Sequence, residues 1–177
     1  QISKMEAGLI QINREKLPLM ETIIRAVNRV YPNAGAKEIE FVFDYDEALE
    51  NDCILQDKKW LGEAFINVFD NAIKYSPAGS EVYVRIQKRT DFIRIEIEDN
   101  GVGIPKVEYH KIFQRFFRGS LPEVKEENGS GIGLFLSRKI IEQHGGTITV
   151  SSNLELKKEL DGKTGSVFII QLPDNAK

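Results

Sequence analysis

Val82, Val84 and Ile86 alternate with other residues, as do Ile93, Ile95 and Ile97, and a short polar stretch, Lys88–Asp91, lies between the two runs. Two such runs specify an antiparallel hairpin with one apolar face. That face has to be covered, which commits the chain to a sheet with a second layer packed on one side. The second strand runs straight into Asp99-Asn100-Gly101-Val102-Gly103-Ile104-Pro105. A core strand therefore ends in a carboxylate and a glycine-rich turn. Asn-Gly is also the strongest short hairpin signal, so this segment alone leaves a simple turn open.

The elements around the hairpin follow from periodicity. Residues 57–75 read as a helix with Asp57 as N-cap. Trp60, Leu61, Ala64, Phe65, Val68, Phe69, Ala72 and Ile73 form its apolar stripe, while Glu63, Asn67, Asn71 and Lys74 line up on another. Asparagine is a modest helix former, so propensity does not explain Asn67 and Asn71. Leu19, Ile23, Ile24, Val27 and Val30 predict an amphipathic helix ending before Pro32 and Gly35. Ile132–His144 predicts a third helix, stopped by Gly145-Gly146. Ile39–Phe43, Cys53–Gln56, Thr147–Val150 and Ser166–Leu172 read as strands. Cys53 reads as a small core hydrophobe. Ile2, Met5, Leu9 and Ile12 give residues 1–13 a short helical stripe that looks like the end of something longer. The expected fold class is α+β: a two-layer α/β sandwich with one mixed, mainly antiparallel sheet and helices on a single face.

Several residues suit nucleotide chemistry. A carboxylate at a strand end accepts a hydrogen bond from an exocyclic amine, and Gly101 and Gly103 let backbone approach a flat ring. Gly129, Gly131 and Gly133 precede a helix, where free N–H groups bind phosphate. Asn71 offers a neutral oxygen to Mg²⁺. Lys74, and Arg118 after Phe116-Phe117, are candidate phosphate contacts. Gly162-Lys163-Thr164 imitates the end of a P-loop but lacks its upstream glycine, Lys157 standing there instead. Gly101-x-Gly103 lacks the third glycine of a dinucleotide fingerprint.

Taken together these motifs resemble the catalytic and ATP-binding domain of sensor histidine kinases, within the GHKL superfamily of Bergerat-fold ATPases and kinases. The resemblance spans roughly residues 15–173: an N box at Asn67–Tyr75, a first glycine box at Asp99–Pro105, an F box at Phe113–Arg118 and a second glycine box at Gly129–Leu134. It implies that Asp99 reads the adenine amine and Tyr75 packs beside the base. It also implies that Asn71 holds Mg²⁺ and that Asn67, Lys74 and Arg118 surround the phosphates as the catalytic set. Gly101, Gly103, Gly129, Gly131 and Gly133 shape the pocket, and Ile104, Phe117 and Leu134 join the nucleotide contacts. Residues from about 106 to 130 would be a lid over ATP. Superfamily members that hydrolyse ATP carry Glu at the position of Asn67; an amide cannot take a proton from water, which favours phosphoryl transfer.

The same resemblance implies residues 15–177 as the catalytic domain and residues 1–13 as the remnant of a dimerisation-domain helix. The expected partners are ATP and ADP, the protein's own dimerisation and histidine phosphotransfer domain, and a response regulator. The full protein is expected to be a homodimer that is membrane-anchored through segments outside this chain. Neither His110 nor His144 lies in the family's phosphoacceptor context, although His144 sits at a helix end where a cation is favourable. A hydrolysing ATPase module, a serine kinase acting on an anti-sigma antagonist and a nucleotide-sensing module are the competing readings. A net charge of −3 disfavours a broad nucleic-acid-binding face. The 177 residues contain no apolar run long enough for a bilayer and no visible signal peptide, so a cytoplasmic location is expected.

Overall fold

In the computed structural model, residues 10–115, 117, 133–152 and 165–174 are described. The chain order is β1 (Glu15–Pro18), α1 (Leu19–Ala36), β2 (Glu40–Tyr45), β3 (Cys53–Gln56), α2 (Lys58–Tyr75), β4 (Glu81–Lys88), β5 (Phe92–Glu98), α3 (Gly133–Gln143), β6 (Thr147–Ser152) and β7 (Ser166–Pro173). Among the described residues five strands form the main sheet, in the order β2-β4-β5-β7-β6. β2 runs parallel to β4 and every other pair is antiparallel. β1 and β3 make a separate antiparallel pair. The sheet is therefore mixed and mainly antiparallel, as expected.

Alternation decides which face is covered. Val82, Val84 and Ile86 on β4, Ile93, Ile95 and Ile97 on β5, and Phe168, Ile170 and Leu172 on β7 are all buried. They form one core with the helix stripes, including Ile23 from α1, Leu61, Phe65 and Phe69 from α2 and Ile140 from α3. Each fully buried side chain of this size contributes roughly 1.5–3 kcal/mol over leaving it in water. On the other face, Arg85 binds Glu96 at 3.0 Å and Glu98 at 2.7 Å, and Arg94 binds Glu96 at 2.8 Å. Burial alone would raise the Glu96 carboxyl, but Arg94 and Arg85 outweigh it and hold the group below its ordinary value.

Four local expectations are corrected. α1 does not stop before Pro32 but continues to Ala36, with the proline inside it. Proline forfeits its own hydrogen bond there, yet Val30 and Ala34 are both buried, and Lys37 and Ile39 donate N–H groups to the Ala34 carbonyl. Ile24, counted on the apolar stripe, is 49% exposed because it lies about 100° from Ile23 around the helix. Cys53 is half-buried rather than core, since β3 turns Ile54 and Gln56 inward instead. Residues 10–13 are not helical. Ile10 packs into the core, and the Asn13 N–H donates to Asp57 Oδ2 at 3.0 Å rather than to the preceding turn; the rest of that stripe, residues 1–9, lies outside the described residues.

The short β1, ending at Pro18, went unpredicted. It is held by Gln56, a fully buried amide that donates to the Leu17 carbonyl at 2.9 Å and accepts from Thr22 Oγ1 at 2.6 Å. Both ends of the amide are satisfied, which is what makes its burial tolerable. Among the described residues no helix is long and apolar enough to cross a membrane.

Candidate nucleotide site

The site gathers at the C-terminal half of α2, the turn after β5, the start of β7 and the N-terminus of α3. Asp99 is its centre. It is 3% exposed. Oδ1 accepts the Gly101 N–H at 2.8 Å and the Ser166 N–H at 3.3 Å, and Oδ2 accepts the Ser166 hydroxyl at 2.8 Å. An ionised carboxylate has about four acceptor positions, so capacity remains on Oδ2. Burial pushes the Asp99 carboxyl above its ordinary value, opposed by the hydrogen bonds from Gly101 and Ser166.

The turn after Asp99 is shaped by space. A Cβ on Gly101 would collide with the Tyr75 carbonyl oxygen and lie 2.9 Å from Asp99 Oδ1. This close approach brings the end of α2 against the Asp99 turn, so Tyr75, Asp99 and Gly101 do come together. Gly165 has φ +121 and a Cβ there would overlap the Asp99 carbonyl. Ser152 ties the far end of the turn. Its hydroxyl accepts the Ile104 N–H and donates to the Gly165 carbonyl, each at 3.0 Å. Its N–H donates to the Tyr109 hydroxyl at 2.8 Å, which donates back to the Ser152 carbonyl at 3.1 Å.

α2 carries Asn67, Asn71, Lys74 and Tyr75 along its last turns. Lys37 caps that end, its ammonium donating to the Ile73 and Lys74 carbonyls at 2.9 Å each, where a cation complements the helix dipole. Asn67 Nδ2 donates to the Gly133 carbonyl at 3.2 Å. The Asn67 amide thus faces α3, whereas Glu63 lines a cavity of about 330 Å³ between α1 and α2 with Arg25 and Lys59. Gly133 is used through its carbonyl; a Cβ there meets Asn67 atoms only at 3.7 Å and beyond, ordinary contact. Leu134 and Phe117 pack half-buried against the core, and Phe113 sits edge-on to Phe168 with centroids 6.1 Å apart.

His144 is not a cation at a helix end. It is 2% exposed and accepts the Asp57 N–H at Nε2, 3.0 Å away. Nδ1 therefore bears the proton and donates to the Ile140 carbonyl at 2.9 Å. Burial lowers its pKa, and the ring is neutral. Both nitrogens are occupied, which disqualifies it as a phosphoryl acceptor. Arg118, Gly129, Gly131, Phe116, the greater part of the expected lid and the decoy at 162–164 lie outside the described residues.

Gly165, Ser166, Ser152, Tyr109 and Lys37 went unpredicted. Nothing in their local pattern marks them. Only the β5–β7 register, Glu98 opposite Val167, places Ser166 beside Asp99.

Residues 56–176 match the family profile described as histidine kinase-, DNA gyrase B-, and HSP90-like ATPase. The sensor-like histidine kinase SenX3 of Mycobacterium tuberculosis is 34% identical over 183 residues, covering 98% of this chain and 42% of the relative. The sensor protein kinase WalK of Staphylococcus aureus is 33% identical over 171 residues, covering 96% and 39%. The chain thus spans less than half the length of these curated relatives. Among solved structures, the mycobacterial sensor histidine kinase MprB superposes with a TM-score of 0.76 at 32% identity, covering 91% of this chain and 97% of that one.

Proposed function

This chain belongs to the histidine kinase-, DNA gyrase B- and HSP90-like ATPase family, and within it we propose that residues 15–177 are the ATP-binding, phosphoryl-donating domain of a sensor histidine kinase. The observation that carries this reading is Asp99: a buried carboxylate whose acceptor capacity exceeds its three donors. The turn beside it is too close to the end of α2 for any side chain on Gly101. An exocyclic amine on a flat ring is the chemical complement of that arrangement.

ATP supplies the transferable γ-phosphoryl group, and Mg²⁺ neutralises the phosphate charge. The chain's own part is to position. Asp99 reads the adenine amine. Tyr75, Ile104, Phe117 and Leu134 enclose the base. Asn67, Lys74 and Arg118 meet the phosphates, with Gly103, Gly129, Gly131 and Gly133 shaping their surroundings. Among the described residues no three His, Cys, Asp or Glu side chains converge on a metal site. An Asn71 oxygen completed by phosphate oxygens and water is a coordination that Mg²⁺ accepts.

Transfer is favoured over hydrolysis because Asn67 cannot act as a base towards water, and its amide nitrogen already donates to Gly133. The acceptor histidine belongs to a separate dimerisation domain, in a homodimer that is membrane-anchored elsewhere and serves a response regulator. Calorimetric titration with a non-hydrolysable ATP analogue, with and without Mg²⁺, tests the site. Mg²⁺-dependent binding is expected; no binding by the folded chain overturns the reading. Asn71→Ala is expected to abolish the gain from Mg²⁺ without unfolding the domain, since Asn71 is only half-buried. A retained Mg²⁺ effect moves the metal ligand elsewhere.

A further inference from the structure

Among the described residues, three polar contacts join α2 and α3 in antiparallel order. The Asp57 N–H donates to His144 Nε2 at 3.0 Å, the Ser137 hydroxyl to the Ala64 carbonyl at 2.9 Å, and Asn67 Nδ2 to the Gly133 carbonyl at 3.2 Å. Positions 57, 64 and 67 on one helix face 144, 137 and 133 on the other. At 1.5 Å per residue the contacts span about 15 Å along α2 and about 16 Å along α3. They therefore fit one register only, and a slip of one turn breaks all three at once. Ser137 and Ala64 are fully buried, so a broken middle contact strands a hydroxyl away from water.

We propose that Ser137 and His144 are positioning residues for the phosphate end of the nucleotide site, holding the α3 N-terminus in register with Asn67, Asn71 and Lys74. The proposal rests on the nucleotide reading above. Two separate observations support it. The contact nearest the site involves Asn67 itself and fixes the direction of that amide: Nδ2 is committed to the Gly133 carbonyl, which leaves Oδ1 as its acceptor. The contact farthest from the site closes on Asp57, the N-cap of α2, whose Oδ1 accepts the Trp60 N–H at 3.2 Å and whose Oδ2 accepts the Asn13 N–H. His144 thus fixes α3 to the point where α2 begins. Adenine, in contrast, is read by Asp99, which is seated by Ser166 and Gly101 on the sheet and takes nothing from these contacts.

That separation gives the test a readout that general loosening does not produce. Binding of adenosine is followed by NMR titration and binding of a non-hydrolysable ATP analogue with Mg²⁺ by calorimetry, on the whole chain. The wild type binds both. Ser137→Ala is expected to keep adenosine within about twofold and to lose about tenfold in affinity for the analogue, the scale of one buried hydrogen bond. His144→Leu behaves the same way, and His144→Gln, whose amide oxygen can accept the Asp57 N–H, recovers the loss. The His144 pair decides the matter if Ser137→Ala does not fold. Equal weakening of both ligands overturns the proposal in favour of a purely structural role, as does unchanged affinity for the analogue. A wild type that binds neither ligand overturns the nucleotide reading itself.

Discussion

Asp99→Asn is expected to weaken ATP binding by about a hundredfold or more while leaving the domain at least as stable at neutral pH. The argument begins with the oxygen that the variant keeps. Oδ1 receives two N–H donors, from Gly101 and Ser166, so the single amide oxygen of asparagine is pinned there. The amide nitrogen must then stand in the place of Oδ2. The Ser166 hydroxyl adjusts by turning its proton away and accepting. An adenine amine cannot adjust, and two donors facing each other in a dry site cost about 3 kcal/mol or more, roughly a hundredfold in affinity.

Stability moves the other way because of charge. Burial raises the folded-state pKa of Asp99 above its ordinary 3.8. A group with a raised folded pKa contributes stability that is fully present below about that ordinary value and lost as pH rises through the folded pKa. At neutral pH the buried carboxylate is therefore a burden that the neutral amide removes. Urea unfolding of the ligand-free variant and calorimetry with the ATP analogue check the two halves separately. Undiminished ATP affinity removes Asp99 from base recognition.

Much of this architecture was readable from local pattern. Alternation at 82–86 and 93–97 and the stripe from Trp60 to Ile73 are set by neighbours two to four residues apart, and the hairpin and α2 follow directly. The candidate residues Asn67, Asn71, Tyr75, Asp99 and Gly101 were readable because they sit in contiguous segments. What seats them was not. Ser166 lies 67 positions from Asp99, and Ser152 lies 48 from Ile104, distances over which only strand order brings residues together. The misreadings at Pro32 and Ile24 have a related cause. Helix ends and stripe edges are decided by what packs against them, and Ala34 in the core outweighs the proline that precedes it. His144 was misread for the same reason: a helix end suggests a cation until Asp57 is seen to need an acceptor.

Gly101→Ala is the second large effect, and it separates space from backbone conformation. Gly103 has φ +78, where any side chain is strained, but Gly101 is not among the positive-φ glycines. Alanine fits its backbone angles. What it does not fit is the gap to Tyr75, because the new methyl meets the carbonyl oxygen at the end of α2 and crowds Asp99 Oδ1. Neither neighbour yields easily. The α2 terminus is held by Lys37 on the Ile73 and Lys74 carbonyls, and Asp99 is held by Ser166. The turn itself must move, which breaks the Gly101 N–H bond to Asp99. The expected loss is about 3 kcal/mol of stability, with nucleotide binding lost in the folded fraction. Gly62→Ala is the counterpart. It lies inside α2 with nothing within 4 Å of the added methyl, and is expected to gain up to about 1 kcal/mol, the helix-propensity difference. Thermal and urea unfolding of the two variants side by side check both. If Gly101→Ala unfolds like the wild type and binds ATP as well, the contact between the end of α2 and the Asp99 turn is not what shapes the site.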